Sequence, residues 1–336
     1  MPALAVADAL RAEGAHVAWV GGERAEARLV PEAGYALHRI RVEGISRSNP
    51  LKAARAVARA GGAVAAARRI LRDERPDVVL GGGGYVAGPV GAAALTRRIP
   101  LVLTEADSHL GLTNRLLAPR AARVCLAFPI AGRTGERYVV TGRPVPPPAT
   151  DRDAARARFG LDATTPCVLV FGGSLGARSI NDAAVAGLRD GPFTVLHAAG
   201  TRDHAALAAR LGEAPAYDLR AYIDGFAEAL AACDVCVARA GGSIFEVAAA
   251  GRPAILVPYP FAAADHQTGN ARWMVDGGAA IVVPDPELTP ERLRAEVDAL
   301  LGDRERMVAM GAAARALARP DAAARIAAEV RAAARA

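Results

Sequence analysis

The sequence predicts an α/β protein made of two doubly wound parallel-sheet domains. Short β-branched apolar runs alternate with longer Ala/Leu/Arg segments, which is the pattern of parallel strands covered by helices on both faces. Glycine-rich turns follow several of these runs, and a proline-rich segment lies near the middle of the chain. The 336 residues are 52% hydrophobic but only 4% aromatic, so we expect two cores built from Val, Leu, Ile and Ala.

The first domain is expected over residues 1–142. Its predicted strands are His16–Val20, Val78–Leu80, Leu101–Thr104, Val124–Phe128 and Tyr138–Thr141. The domain opens on a helix with Pro2 near its start, although a doubly wound sheet normally opens on a strand that lies in its middle. We therefore expect a start roughly 10 to 20 residues upstream, with one strand and a turn, and an internal gap in the sheet without them. A degenerate N-terminus is the alternative.

Residues 143–150 form the predicted linker, because they are rich in proline and precede a helix that opens at Asp151. The second domain is expected over residues 151–319. Its predicted strands are Cys167–Phe171, Thr194–His197, Val235–Val237, Ala254–Val257 and Ala280–Val283. The stretch from Leu293 to Ala336 is helical in composition and broken at Pro320, with Asp321 as the predicted N-cap. We therefore expect a helical closure after the second sheet, with a C-terminal helix at residues 320–336.

A glycine turn at Val168–Ala177 carries the strongest sign of a phosphate site. It leads from a strand into a helix, where free backbone N–H groups and the positive helix end attract anions. Gly172, Gly173 and Gly176 let the backbone approach a phosphate, and Ser174 adds a hydroxyl donor. A purely structural turn is the alternative.

A second glycine-rich turn, Leu80–Pro89, follows a strand of the first domain. Four consecutive glycines at a carboxyl end, where ligands of such sheets bind, are hard to explain by packing. Tyr85 either faces a substrate or packs against the next helix.

Two polar loops of the second domain are further candidates. In Arg239–Glu246, Ser243 is a predicted helix cap, and Glu246 either accepts two ribose hydroxyls or is an ordinary first-turn acid. Asp265–Asn270 clusters polar side chains suited to sugar hydroxyls, with His266 more often a hydrogen-bonding group than a general base.

Composition excludes several classes of protein. Four scattered cysteines predict a reducing, cytoplasmic compartment, and Cys233 and Cys236 are predicted to be buried strand residues rather than a zinc or redox pair. The sequence has no apolar stretch long enough to span a bilayer and no metal-site constellation. A net charge of +6 suits a nucleotide or an acidic membrane, whereas the scattered arginines do not favour nucleic acid. The basic segment Ser48–Arg72, a helix or helix pair, is either a solvated face or a contact with anionic lipid.

Six segments, in order, resemble the MurG family over essentially the whole chain. They are Pro2–Ala7, Gly82–Pro89, Leu112–Arg115, Gly172–Ala177, Arg239–Ser243 and Asp265–Thr268. The resemblance implies the GT-B architecture, in which two Rossmann-like doubly wound domains face a central cleft. It also implies inverting transfer of N-acetylglucosamine from UDP-N-acetylglucosamine to the C4 hydroxyl of lipid I, giving lipid II, by a peripheral enzyme at the cytoplasmic face of the cell membrane.

The resemblance also implies a set of site residues. The expected donor-binding residues are Asp107, Arg143, Gly173, Ser174, Gly176, Ile223, Arg239, Glu246 and Gln267, and the expected acceptor-side residues are Gly83, Gly84, Tyr85, Glu105 and Asn114. The backbone of Ile223 would meet uracil, Glu246 the ribose, Ser174 the phosphates and Gln267 the sugar. No tightly bound cofactor is implied, and assistance by a divalent cation stays open.

The chain departs from the family pattern in the first domain. Thr104–Asp107 stands where many members have His-Glu-Gln-Asn, and Gly142–Pro146 lacks the usual arginine, for which Arg143 is the expected substitute. The first glycine loop of the family and its histidine would lie before Met1. Glu105 and Asp107 are therefore the catalytic candidates within the chain.

Two other classes of function stay open at this stage. One is another GT-B enzyme that uses a UDP-sugar, such as a lipid glycosyltransferase or a 2-epimerase, and the need for an acceptor separates these. The other is a nucleotide-sugar-binding protein that is inactive through loss of the first glycine loop.

Overall fold

The structure is a computed structural model that describes residues 2–42, 50–173, 176–262 and 265–335, and of residues 50–60 only the helical backbone. The chain divides into two compact units. Unit 1 comprises Met1–Val145 and Asp321–Ala336, and unit 2 comprises Pro146–Pro320. The division lies within the predicted linker, where no helix or strand is formed between Val140 and Arg152.

Unit 1 contains parallel strands and helices in alternation. Its strands are β1 (Ala18–Gly21), β2 (Ala36–Arg39), β3 (Val79–Gly81), β4 (Leu101–Glu105), β5 (Arg123–Leu126) and β6 (Tyr138–Val140). Its helices are α1 (Pro2–Ala12), α2 (Glu26–Glu32), α3 (Pro50–Glu74), α4 (Gly84–Thr96) and α5 (Leu112–Leu117). The segment predicted as one or two basic helices is thus the single helix α3, although residues 48 and 49 lie outside the described part of the chain.

The strands of unit 1 belong to two separate ladders. β1 pairs with β2, while β3, β4, β5 and β6 form a second sheet in that order, and every pair is parallel. Within the described residues, β1 pairs only with β2 and β3 pairs only with β4, so each of these strands has one edge without a partner strand.

The core of unit 1 has two faces because alternate residues of a strand point to opposite sides. Leu101 and Leu103 of β4 pack toward α3 and α4. Val102, between them, packs on the other face against α1 and against a helix from the end of the chain.

The helix from the end of the chain is α14 (Ala322–Arg335), and it packs on β4, β5 and α1 of unit 1. Ile326 and Val330 are buried beside Val6 and Leu10, and Glu329 accepts a hydrogen bond from Arg123 Nε at 3.2 Å. The predicted C-terminal helix is thus present, and it packs on unit 1 although it follows the sheet of unit 2 in the chain. Helical composition predicts α14, but not which core it covers.

Unit 2 is a parallel sheet covered by helices on both faces. Its strands are β7 (Cys167–Phe171), β8 (Thr194–Ala198), β9 (Tyr217–Arg220), β10 (Val235–Ala238), β11 (Ala254–Leu256) and β12 (Ala280–Val282). Its helices are α6 (Arg152–Arg158), α7 (Arg178–Leu188), α8 (His204–Leu211), α9 (Phe226–Ala232), α10 (Ile244–Ala249), α11 (His266–Asp276), α12 (Pro290–Leu301) and α13 (Arg304–Leu317). The predicted α/β class with parallel sheets is confirmed in both units.

The strand order in unit 2 is β12, β11, β10, β7, β8, β9. The chain therefore starts in the middle at β7, proceeds outward through β8 and β9, and returns to the other side of β7 with β10. Every residue of β7 is buried, and Val168 and Val170 pack in the same cluster as residues of α7 and α12. All four cysteines are buried, as predicted for Cys233 and Cys236, although Cys233 caps α9 rather than lying in a strand.

None of the described helices is both long and apolar enough to cross a membrane.

Candidate functional site

The carboxyl ends of β7 and β10 mark the place in unit 2 where a ligand is expected. These adjacent strands are followed by connections that run to opposite sides of the sheet. At such a switch point the loops diverge and leave a crevice, and open α/β sheets bind ligands there. The glycine turn after β7 and the turn at residues 239–243 after β10 both lie at this point.

Steric constraints explain the glycines of the turn after β7. A Cβ on Gly172 would overlap Ala177, and a Cβ on Gly176 would overlap the carbonyl oxygen of Ala199. Gly173 and Gly176 have φ values of 90° and 76°, which side chains disfavour. The turn closes with a hydrogen bond from the Gly176 N–H to the Gly173 carbonyl at 3.0 Å.

The helix that follows the turn, α7, has Ala177 at its N-cap and therefore no capping side chain. The first N–H groups of a helix, together with its dipole, favour an anion at that end. The geometry of the turn thus suits a phosphate group. Ser174, predicted to contact the phosphates, lies outside the described residues.

The loop after β9 folds back toward β7. Phe226, the first residue of α9, packs edge to face on Phe171, the last residue of β7, with ring centroids 5.0 Å apart. This contact brings the segment that holds Ile223 toward the switch point, although two strand spacings separate β9 from β7. Ile223 is buried, whereas its neighbour Tyr222 is 63% exposed.

Arg239 joins several loops at this edge of the sheet. Its guanidinium donates to the carbonyls of Val257 at 3.1 Å and Pro258 at 3.3 Å, to Ser179 Oγ at 2.8 Å, and to the carboxylate of Asp285. The side chain is only 11% exposed. Direct contact of Arg239 with the donor stays a prediction, because the described partners already engage this guanidinium.

The first turns of α10 and α11 carry the other predicted donor-binding residues. Glu246 is half-buried in the first turn of α10. Ser243 occupies the predicted N-cap position of α10, but its backbone dihedral angles are helical and its side chain makes no capping hydrogen bond. On α11, Gln267 Oε1 accepts the N–H of Tyr259 at 2.9 Å, and Asn270 Nδ2 donates to the Ala240 carbonyl at 3.1 Å. These bonds fix α11 to the loops after β11 and β10.

Glu105 organises the predicted acceptor-side cluster in unit 1. Its carboxylate accepts the backbone N–H groups of Ala106 at 3.0 Å, Asp107 at 3.3 Å and Gly111 at 2.8 Å, and Asn114 Nδ2 at 2.9 Å. The residue is only 7% exposed. The loop after β4 is therefore built around this carboxylate, and a role for Glu105 as a base stays a prediction.

The structure brings Gly83, Gly84 and Asn114 to the same cluster. A Cβ on Gly83 would lie 3.5 Å from Asn114 Nδ2, and Thr113 Oγ1 donates to the Gly84 carbonyl at 3.0 Å. Tyr85 is half-buried in the first turn of α4, with the Arg24 guanidinium 4.7 Å from its ring centroid. Arg143, also predicted for the donor, lies in unit 1 after β6 and is half-buried.

A buried network beside the glycine turn escaped sequence reasoning. It joins Asn181 of α7, His197 of β8 and Tyr217 of β9. The available sign was a histidine within an apolar run, since a polar side chain inside a strand that is covered on both faces needs a hydrogen-bond partner.

Two family models cover the chain. The Glycosyltransferase family 28 N-terminal domain matches residues 1–126, and the Glycosyltransferase family 28 C-terminal domain matches residues 167–326. A UDP-N-acetylglucosamine–N-acetylmuramyl-(pentapeptide) pyrophosphoryl-undecaprenol N-acetylglucosamine transferase from Aeromonas hydrophila is 43% identical over an alignment of 336 positions, which covers 98% of this chain and 92% of the relative. The chain belongs to the MurG family. A relative of the same name from Methylococcus capsulatus is 42% identical over 96% of this chain.

Solved structures agree with membership of the MurG family. MurG from Acinetobacter baumannii superposes with a TM-score of 0.81 at 31% identity, covering 98% of this chain and 95% of that one. The calicheamicin glycosyltransferase CalG4 gives a TM-score of 0.70 at 20% identity, and a UDP-GlcNAc 2-epimerase from Neisseria meningitidis gives 0.69 at 13% identity. These last two share the GT-B fold with the MurG family, and at such low identity they are evidence of fold alone.

Proposed function

We propose that this protein transfers N-acetylglucosamine from UDP-N-acetylglucosamine to the C4 hydroxyl of lipid I and so produces lipid II. The observation that carries the proposal is the 43% identity, over 98% of the chain, to a transferase whose name states this donor and acceptor. The alternatives within the GT-B fold rest on neighbours at 20% identity or less.

The donor side of the proposal is supported by unit 2. A diphosphate placed at the glycine turn would face the first turn of α7, where the positive helix end offsets its charge. Glu246 is a carboxylate able to accept two ribose hydroxyls, and Gln267 supplies an amide for the sugar. The leaving UDP gains negative charge in the transition state, so backbone N–H groups fixed before the reaction lower the barrier more than mobile donors would.

The acceptor side of the proposal is assigned to the cluster around Glu105 in unit 1. The C4 hydroxyl must lose a proton as it attacks, so a base is required. Glu105 accepts three hydrogen bonds from its own loop and one from Asn114 of α5, which suits a residue that positions this loop. Asp107 follows in the same loop and is half-buried.

A transfer assay tests the proposal. Labelled UDP-N-acetylglucosamine and a short-chain lipid I analogue are expected to give a β-linked disaccharide product, with and without EDTA as a test of cation assistance. Glu246→Ala removes charged hydrogen bonds and is expected to raise the donor KM roughly 10- to 100-fold. Glu287→Ala is the matched control, because Glu287 is an exposed acid of the same unit.

Three outcomes of this assay would refute the proposal. Conversion of the donor to its 2-epimer without an acceptor would indicate an epimerase. Transfer to another lipid acceptor alone would indicate a different lipid glycosyltransferase. Binding of the donor with no turnover would indicate a nucleotide-sugar-binding protein.

We further propose that unit 1 rests on the cytoplasmic face of the cell membrane through α5. Leu112 and Leu116, one turn apart on this helix, are 49% and 66% exposed, and the exposed Arg115 lies beside them. An apolar face flanked by cations is the pattern of a helix that binds at the surface of an anionic bilayer. The basic helix α3 packs, like α5, against α4.

Vesicle flotation tests the membrane contact. The protein should float with vesicles that contain an anionic phospholipid, and Leu116→Asp should reduce the bound fraction several-fold. Val308→Asp is the control, because Val308 is equally exposed, at 63%, but lies on α13 of unit 2. Equal loss in both variants, or no loss in either, would exclude α5 as the contact.

A further inference from the structure

Three side chains form a buried chain of hydrogen bonds behind the glycine turn of unit 2. The Tyr217 hydroxyl lies 2.8 Å from His197 Nδ1, and His197 Nε2 lies 3.0 Å from Asn181 Oδ1. Asn181 Nδ2 donates to the Ala199 carbonyl at 2.9 Å. Asn181 and His197 have no exposed surface, and Tyr217 is 6% exposed. The chain of bonds crosses β9, β8 and α7 in turn.

The direction of each hydrogen bond follows from its end point. The Ala199 carbonyl can only accept, so the Asn181 amide must direct its NH2 there and its oxygen toward His197. His197 therefore carries its proton on Nε2, and Nδ1 accepts from the Tyr217 hydroxyl. Burial lowers the pKa of His197 to about 3 and raises that of Tyr217, so both groups are neutral near pH 7.

The last acceptor in this chain of bonds contacts the ligand turn itself. Gly176 packs on the Ala199 carbonyl so closely that a Cβ would overlap it, and that same Cβ would lie 3.3 Å from Asn181 Nδ2. The backbone N–H of Asn181 donates to the carbonyl of Ala177, the N-cap residue of α7, at 2.8 Å. The buried network thus sets the position of Gly176 and of the first turn of α7 relative to β8.

We infer that Asn181, His197 and Tyr217 are positioning residues, which hold Gly176 and the first turn of α7 in the geometry that binds the diphosphate of the nucleotide donor. The inference rests on the proposed function for the identity of the ligand. Donor affinity then depends on a hydrogen bond from residue 197 to Asn181. This bond lies on the side of the glycine turn that faces away from the ligand. Acceptor binding does not depend on that bond.

A pair of substitutions at His197 tests the inference. The amide nitrogen of a glutamine can lie near the position of Nε2, so His197→Gln keeps a donor for Asn181. The shorter His197→Asn reaches only the Nδ1 position and loses that donor. We expect His197→Asn to raise the Kd for UDP and the donor KM about tenfold, as for the loss of one buried hydrogen bond. His197→Gln should stay within about twofold of wild type, and the acceptor KM should be unchanged in both.

The controls separate this inference from the proposed function. Wild-type protein that binds UDP but does not transfer sugar would refute the proposed reaction and leave the UDP-binding comparison intact. Equal UDP affinity in His197→Gln and His197→Asn would overturn the inference, as would a change confined to the acceptor KM. Tyr217→Phe provides a second measurement if His197→Asn does not fold: a UDP Kd raised about threefold supports the network, and an unchanged Kd overturns it.

Discussion

The ring of Phe226 meets the ring of Phe171 edge to face, with an interplanar angle of 81°. Phe171 ends β7 and Phe226 begins α9, so this one contact connects the central strand of unit 2 to the loop after its edge strand. The loop contains Ile223, whose backbone is predicted to meet the base of the nucleotide.

Phe226→Ala should weaken UDP binding about three- to tenfold, because an aromatic pair contributes about 0.5–1.5 kcal/mol beyond the burial of area. Titration calorimetry measures the change. Phe226→Tyr keeps the ring and should bind UDP like wild type. If alanine and tyrosine variants bind equally well, the loop does not depend on the ring contact.

Arg239→Met should destabilise unit 2 by about 3 kcal/mol, because it leaves the carboxylate of the part-buried Asp285 without its cation. Urea unfolding measures this loss. Arg292→Met is the matched control: Arg292 pairs with Glu296 on a more exposed helix face and should cost under about 1 kcal/mol. Similar losses in the two variants would show that the ion pair between Arg239 and Asp285 does not stabilise unit 2 more than an exposed pair does.

The buried His197 predicts a specific pH dependence of stability. Its folded-state pKa is lowered from 6.5 to about 3, so the unfolded chain binds the proton more readily. The contribution of His197 to the free energy of unfolding is then fully present above pH 6.5. It is lost as the pH drops toward 3, by up to about 1.4 kcal/mol per pH unit. Urea midpoints between pH 7 and 4 should fall more steeply for wild type than for His197→Gln. Parallel curves would show that His197 is not the source.

Glu105→Gln distinguishes a residue that organises a loop from a base. The substitution sets an amide group against the N–H donors of the loop, and we expect a stability loss of about 1–3 kcal/mol with a raised acceptor KM. A catalytic base would instead lose roughly 10²- to 10⁴-fold in kcat at unchanged stability. Steady-state kinetics and thermal melting of the same preparation separate these results.

Ile326→Ala in α14 should destabilise unit 1 by about 2–4 kcal/mol, because it leaves a cavity in the core shared with Val6 and Leu10. Scanning calorimetry is the measurement. Val308→Ala on the exposed face of α13 should have little effect. An Ile326→Ala protein as stable as this control would contradict the packing of α14.

The central strands were predictable from sequence because burial on both faces demands a continuous apolar run, as in Cys167–Phe171. β2 and β9 were missed for the converse reason. Their sequences, Ala-Leu-His-Arg and Tyr-Asp-Leu-Arg, carry polar residues suited to half-exposed strands at the edge of a sheet. Period and composition alone do not separate such strands from loops.

The glycine turns were also predictable, since positive φ angles and close backbone contacts leave no alternative to glycine at positions such as Gly176. The partners of Arg239 and His197 were not. Each depends on the register of strands that lie far apart in sequence, which determines whether an arginine faces a ligand or a carboxylate such as Asp285. The sequence therefore shows which side chains can bind a ligand, but only the tertiary contacts show which of them pair with other residues of the protein instead.

The packing of α14 has a consequence for biosynthesis. A ribosome must complete all of residues 146–320 before the helix that covers β4 and β5 leaves the exit tunnel. Until then the nascent first unit exposes Val6, Leu10 and Val102, an apolar surface that invites chaperone binding or aggregation. The order of synthesis therefore favours maturation of the second unit first, because the core of the first unit stays incomplete until α14 has been made.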